Sequence, residues 1–149
     1  RARSFFHSGV LLRFASLRSG ASQVHFCSAG CDPNVARWQS GVAAESCYLS
    51  TITLMEIVHG IELTQKKDAP FAAILKDWYQ HQGIPAFKER TLGVTPTIAE
   101  ATGKVMAIRI RSTADCLLAG TALVHSLTLV TRNESDFSDT GVMVLNPWQ

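Results

Sequence analysis

Apolar positions between residues 32 and 149 recur with two periods, and segments of the two kinds alternate along the chain. Asp32-Pro33 is a helix cap followed by a residue whose fixed φ suits the first turn, and Val35, Trp38 and Val42 continue at helical spacing. Cys47–Ile52 has strand composition. Thr53 with Glu56 three residues on reads as a capping box, opening a helix through Leu54, Ile57, Ile61 and Leu63 that ends near Lys66-Lys67-Asp68. Pro70 opens another, with Phe71, Ile74, Leu75 and Trp78 on one face. The chain turns irregular after Gly83, and Thr91–Val94 reads as a short strand. A helix then runs from Pro96 to about Arg111. The segment from Asp115 to His125 is apolar on nearly all sides, which predicts a buried helix. Leu127–Thr131 and Val142–Leu145 are short β runs. Strands alternating with helices predict an α/β fold with a mostly parallel sheet of about four to five strands flanked by helices. Residues 32–149 contain no internal repeat and no linker.

Composition narrows this further. The 149 residues are 46% apolar and 17% charged, which suits one compact domain with a real core and excludes a disordered chain. No apolar run approaches the roughly 18 residues of a membrane span. The net charge of +2 is unevenly spread. Residues 1–31 hold four arginines (Arg1, Arg3, Arg13, Arg18) and no acid, whereas residues 32–149 hold ten basic and twelve acidic side chains. The body is therefore not a broadly basic nucleic-acid binder, and any RNA would meet a local site.

Cys27, Cys31, Cys47 and Cys116 are scattered through a chain too large to need disulfide staples, which points to a reducing, cytoplasmic setting. His25, Cys27 and Cys31 lack a second ligand pair at zinc-site spacing and read as incidental. Residues 1–31 form an atypical N-terminal segment, rich in Ser, Arg and Gly, with apolar stretches broken by Arg13 and Arg18. A secretory signal is excluded by that interruption, and an organelle transit leader is one reading. The favoured reading is sequence foreign to the fold, from a displaced reading frame or recombined 5′ end, with the folded domain occupying 32–149.

In a parallel α/β sheet, ligands bind beyond the carboxyl ends of the strands. Glu56 follows the 48–52 strand, Asp115 starts the buried helix, and Asn133, Glu134 and Asp136 follow the 127–131 strand. Each has a bland alternative: a capping-box partner, a helix cap that favours the dipole, and ordinary turn residues. Their convergence from three separate elements favours a site. Carboxylates without His or Cys suit a hard cation, Mg²⁺ or Mn²⁺, of the kind that serves phosphodiester hydrolysis. No glycine-rich phosphate loop is present. His59, one turn beyond Glu56, reads as a solvated helix residue, and Trp78 and Trp148 as packing anchors.

These residues lie in segments that resemble a known family. Ala114-Asp115-Cys116-Leu117-Leu118-Ala119-Gly120-Thr121-Ala122-Leu123, the run Leu127–Phe137 (LTLVTRNESDF) and Val144-Leu145-Asn146-Pro147-Trp148 resemble the corresponding segments of VapC-type PIN-domain ribonuclease toxins, particularly the FitB-like branch. So do Tyr48–Ile57, Gly60-Ile61-Glu62, and Asp32-Pro33-Asn34-Val35 through Trp38. The resemblance implies a PIN fold, a Mg²⁺-dependent endoribonuclease, a cognate antitoxin and homodimers. It implies Glu56, Asp115 and Asp136 as metal-site acids, the last either a ligand through water or a loop anchor. It implies Asn133 as an uncharged oxygen donor, and Thr131 and Arg132 as residues beside the RNA backbone. In one respect this sequence departs from the family, whose first strand ends in an Asp that binds the metal. The matching stretch, Arg13 to Gly20 after the strand-like Val10-Leu11-Leu12, has no acid. Asp32 belongs to the following helix. The resemblance therefore implies weakened catalysis, with a catalytically dead remnant that still binds antitoxin and dimerises as the alternative.

Overall fold

A computed structural model of the protein describes residues 11–14 and 32–149. Val10, Cys27, Cys31, His25 and the remainder of the atypical N-terminal segment lie outside the described residues. In chain order the elements are β1 (Leu11–Phe14), α1 (Pro33–Ser40), β2 (Cys47–Ser50), α2 (Thr51–Gln65), α3 (Ala69–Trp78), α4 (Ile84–Ala86), β3 (Thr91–Leu92), α5 (Pro96–Met106), α6 (Thr113–Val124), β4 (Leu127–Val130) and β5 (Val144–Leu145). The strands form one five-stranded sheet in the order β3-β2-β1-β4-β5. β2 pairs in parallel with β3, and β4 with β5. β1 lies between β2 and β4 and runs antiparallel to both. Four strands therefore point one way and the central one is reversed.

The helix starts follow local chemistry. Asp32 accepts from the Asn34 amide at 2.9 Å ahead of Pro33, Asp68 from the Phe71 amide at 3.0 Å ahead of Pro70, and Thr95 from the Ile98 amide at 3.3 Å ahead of Pro96. Several boundaries differ from expectation: α6 starts at Thr113 and not at Asp115, β2 to β5 are each shorter, and α2 and α5 differ at one end. α2 starts at Thr51 and not at Thr53, because Ser50 accepts from the Ile52 amide at 3.2 Å and caps it. α5 stops at Met106 and not near Arg111, its end closed by bonds from the Ala107 and Ile108 amides to the Gly103 and Val105 carbonyls. On α3, Ile74 faces solvent at 65% exposure, and Ala72 takes the buried position instead. The irregular stretch after Gly83 starts earlier: Tyr79–Gly83 is a π-helical turn that runs into α4.

The strands sort their side chains by alternation. Leu127 and Leu129 of β4 pack with Ile52, Val105, Phe137 and the α6 residues Cys116, Leu118, Ala119 and Ala122. Cys47 and Leu49 of β2 join Val130 and Phe87, with Trp38, Val42 and Leu54 against them. α6 is buried as its composition predicts. α5 lies close against it, and Gly120 is where they meet. A Cβ at Gly120 would overlap Thr102 Oγ1 and stand 3.0 Å from the Thr102 backbone nitrogen and 3.1 Å from the Ile98 carbonyl. Thr102 cannot swing away freely, since its hydroxyl donates to Ile98 O at 2.7 Å. Gly120→Ala is therefore expected to destabilise the domain by about 1–3 kcal/mol despite the better helix propensity of Ala, an effect read from the midpoint of urea unfolding.

Arg90 ties the sheet to its flanking turns. Its Nη1 donates to the Cys47 carbonyl at 2.7 Å and to the Ala44 carbonyl, and its Nη2 to the Ala86 carbonyl at 2.5 Å. The guanidinium carbon stands 4.9 Å from the centre of the fully buried Phe87 ring. No helix among the described residues is long and apolar enough to cross a membrane.

Candidate functional site

Three chain connections meet at the carboxyl edge of β2 and β4. α2 leaves β2 without an intervening loop, and Glu56 falls on its sixth residue. α6 runs back toward the start of β4, so its amino end with Asp115 comes to the same edge. The loop after Val130 carries Asn133, Glu134 and Asp136 in a short 3-10 turn.

Glu56 is not a capping residue, because Ser50 holds that place and Thr53 is buried inside the helix. Its Oε2 is buried and has no hydrogen-bond partner among the described residues. Burial, and then the negative charge of Asp115, push its carboxyl above the usual range. Those two acids are thus within each other's field. Asp115 is the third residue of α6. Ser112 Oγ accepts from the Asp115 amide at 3.0 Å and donates to Asp115 Oδ2 at 2.5 Å. The hydroxyl caps the helix and fixes the carboxylate together.

Asn133 and Asp136 form a second group. Asn133 Nδ2 donates to Asp136 Oδ2, Ser135 Oγ donates to Asn133 Oδ1 at 3.1 Å, and Arg109 Nη2 stands 3.9 Å from Asp136 Oδ1. These bonds tie Asp136 to its own loop and to Arg109. Thr131 is buried and its hydroxyl accepts from the Asn133 amide at 3.1 Å, whereas Arg132 is exposed. Among the described residues no three His, Cys, Asp or Glu side chains gather closely enough to cage a metal ion. Glu56 lies within the field of Asp115, and Asp136 stays with Asn133 and Arg109.

The central strand explains part of that shortfall. Leu11 pairs with Val130 and Phe14 with Leu127, so the amino end of β1 faces the acids and its carboxyl end lies at the far edge. The carboxyl end of β1, unlike those of β2 and β4, therefore does not open onto this edge.

A model of the family described as "PIN domain" matches residues 32–142. The chain belongs to the PIN-domain family. The plasmid stability protein StbB of Pseudomonas syringae pv. tomato is 31% identical over 128 residues, spanning 79% of this chain and 88% of the relative. The VapC ribonuclease Y4jK of Sinorhizobium fredii is 27% identical over 123 residues, spanning 79% and 86%. The crystal structure of FitAcB from Neisseria gonorrhoeae superposes with a TM-score of 0.75 at 27% identity, covering 82% of this chain and 90% of the other. The α/β fold with its mainly co-directional strands is thus the PIN fold.

Arg109, Arg111 and Asp139, which hold the edges of the candidate site in this PIN domain, were not singled out from sequence, and Glu134 was named without its partners. Arg109, Arg111 and Asp139 form an ion-pair group, and Glu134 accepts from Asn146 Nδ2 at 2.7 Å and Gln149 Nε2 at 2.9 Å. Reading α5 through to Arg111 hid the first two. On a helix, residues two apart point in different directions, whereas here both arginines reach Asp139.

The raised Glu56 pKa gives a pH dependence to metal-free stability. The folded protein holds this proton more tightly than the unfolded chain, whose carboxyl titrates near pH ~4.3. The contribution is complete below that value and declines as pH rises through the folded pKa. Glu56→Gln removes the buried charge, so in EDTA its melting temperature is expected to exceed the parent's at pH 7 and to approach it at pH 4.

Proposed function

We propose that this PIN domain is a metal-dependent endoribonuclease toxin of a toxin–antitoxin pair, hydrolysing RNA phosphodiester bonds at the edge built by Glu56 and Asp115, with activity weakened by the missing acid of the central strand. The observation that carries this reading is the buried, unpartnered Oε2 of Glu56 within the field of Asp115. A buried carboxylate oxygen without a donor is costly, and a cation between the two acids removes that cost. The donor set fits Mg²⁺ or Mn²⁺, which one or two carboxylates hold while water and substrate phosphate complete the coordination. The bound ion would supply charge for the scissile phosphate and acidify a water.

The chain's own residues do the rest. Glu56 and Asp115 hold negative charge at one point, Ser112 keeps Asp115 oriented, and Asn133 with Asp136 shapes the rim. Arg132, exposed beside that rim, meets the RNA backbone. A cognate antitoxin and a second copy of the chain are the expected partners, and the ribonuclease reading is in line with the relative named as a VapC ribonuclease.

The test is cleavage of a labelled single-stranded RNA pool in Mg²⁺ and in EDTA. Weak cleavage that needs the metal and falls at least tenfold in both Glu56→Gln and Asp115→Asn is expected. Strong cleavage indifferent to both substitutions would overturn the site assignment. The reversed β1 favours a second reading, a remnant that binds antitoxin and dimerises without chemistry. Co-purification with antitoxin and no metal-dependent cleavage at any enzyme concentration is the result that selects it.

A further inference from the structure

Outside the acidic pair, a polar group near the site centres on Asp139, which the proposed chemistry does not use. Arg109 Nε donates to Asp139 Oδ2 at 2.8 Å and Arg111 Nη2 to Asp139 Oδ1 at 2.5 Å, so each carboxylate oxygen has its own arginine. Arg109 continues past Asp139: its Nη2 donates to the Ser135 carbonyl at 2.8 Å and stands 3.9 Å from Asp136 Oδ1. Arg111 is almost entirely buried, with its side chain 2% exposed, and it immediately precedes Ser112, the residue that caps α6 and bonds the Asp115 carboxylate. Ile108 is half exposed and Ile110, between the two arginines, fully exposed, so the 107–112 connection is held by these arginines and not by burial of its isoleucines.

We infer that Asp139 is a positioning residue, which locks the connection leading to Asp115 onto the loop carrying Asn133 and Asp136. Charge-assisted bonds to both oxygens make the lock stronger than a single surface pair. The carboxyl of Asp139 sits below its usual range: partial burial pushes it up, but the bond and charge of Arg109 and the charge of Arg111 outweigh this. Without the lock, Ser112 and Asp115 keep their own helix cap but lose their fixed relation to Asn133 and Asp136. The consequence for metal binding rests on the function proposed above; the mechanical link does not.

The experiment compares the full chain with Asp139→Asn and Asp139→Glu. In metal-free protein, amide hydrogen exchange is read at Ser112–Asp115 and at Asn133–Phe137, with melting temperature as the measure of global folding. Asp139→Asn is expected to speed exchange about tenfold in both segments together while exchange in the α6 core and β4 stays near the parent's. Asp139→Glu is expected to restore most of the protection. Mn²⁺ titration of the same proteins by electron paramagnetic resonance is expected to show about tenfold weaker binding in Asp139→Asn. Unchanged exchange in either segment, or a rise spread evenly over the whole domain, overturns the inference whatever the metal result. Altered exchange in both segments with no Mn²⁺ binding by the parent upholds the lock and overturns the metal site instead.

Discussion

Replacing residues 1–31 with a strand ending in Leu-Leu-Asp, set parallel to β2 and β4, is expected to raise Mn²⁺ affinity at least about tenfold and to raise RNA cleavage with it. The physical reason lies in the direction of one strand. β1 fills the central place in the sheet but runs against both neighbours, so its amino end sits beside the Glu56–Asp115 edge. Residues 1–31 also contain no acid. The proposed site is left with Glu56 and Asp115, and the half-buried Glu56 is raised in pKa by burial and by the charge of Asp115. A third carboxylate delivered from the carboxyl end of a parallel central strand would add negative charge where a dication needs it. Metal-free, that same charge would raise the Glu56 pKa further, so the replaced protein is expected to gain more stability from Mn²⁺ than the parent does. Calorimetry with and without Mn²⁺ checks this. An equal metal-induced shift in the two proteins would mean that the central strand does not serve the site.

Arg90→Met is expected to have the largest effect on stability, lowering it by about 3–5 kcal/mol and the melting temperature by roughly 10 °C. Met retains most of the aliphatic stem but none of the donors. The carbonyls of Ala44, Cys47 and Ala86 lose their partner together, and the Phe87 ring loses the cation over its face. Cys47 begins β2, so the loss reaches the strand that feeds α2 and Glu56. Against a total stability of about 5–15 kcal/mol for a domain, this is a large share. Arg90→Lys, which keeps one charged donor but not the fork, is expected to fall between the two. Urea unfolding of the three proteins gives the order, and a Met variant as stable as the parent would remove Arg90 from this structural role.

The sequence was most informative where short-range chemistry decides the structure. Asp32-Pro33, Pro70 and Pro96 mark helix starts through capping and proline geometry, and the nearly all-apolar surface of 115–125 marks a buried helix. It was less informative where two local solutions compete. Ser50 and Thr53 are both fit to cap a helix, and the choice falls to Ser50 because β2 ends there and Thr53 packs into the interior. That choice matters for function, since it frees Glu56 from a capping role. α5 closes on local bonds at Ala107 and Ile108, but the chain beyond it is held by contacts 26 to 30 residues away, from Arg109 and Arg111 to Ser135 and Asp139, which no local pattern encodes. The direction of β1 is likewise invisible in Leu11–Phe14, because so short a strand reads the same either way. Glu56 and Asp115 were legible as a pair through their common sheet edge. The bonding of Asp136 to Asn133 and Arg109 was not, because it depends on the loop's tertiary partners.

The most direct measurement is a Mn²⁺ titration followed by electron paramagnetic resonance on the parent, Glu56→Gln and Asp115→Asn, each first confirmed as folded. The parent is expected to bind one Mn²⁺ saturably and weakly, with Mg²⁺ competing, and each substitution is expected to weaken binding at least about tenfold. Binding by both variants as tight as the parent's, or no saturable binding by the parent, would contradict a metal site built on Glu56 and Asp115.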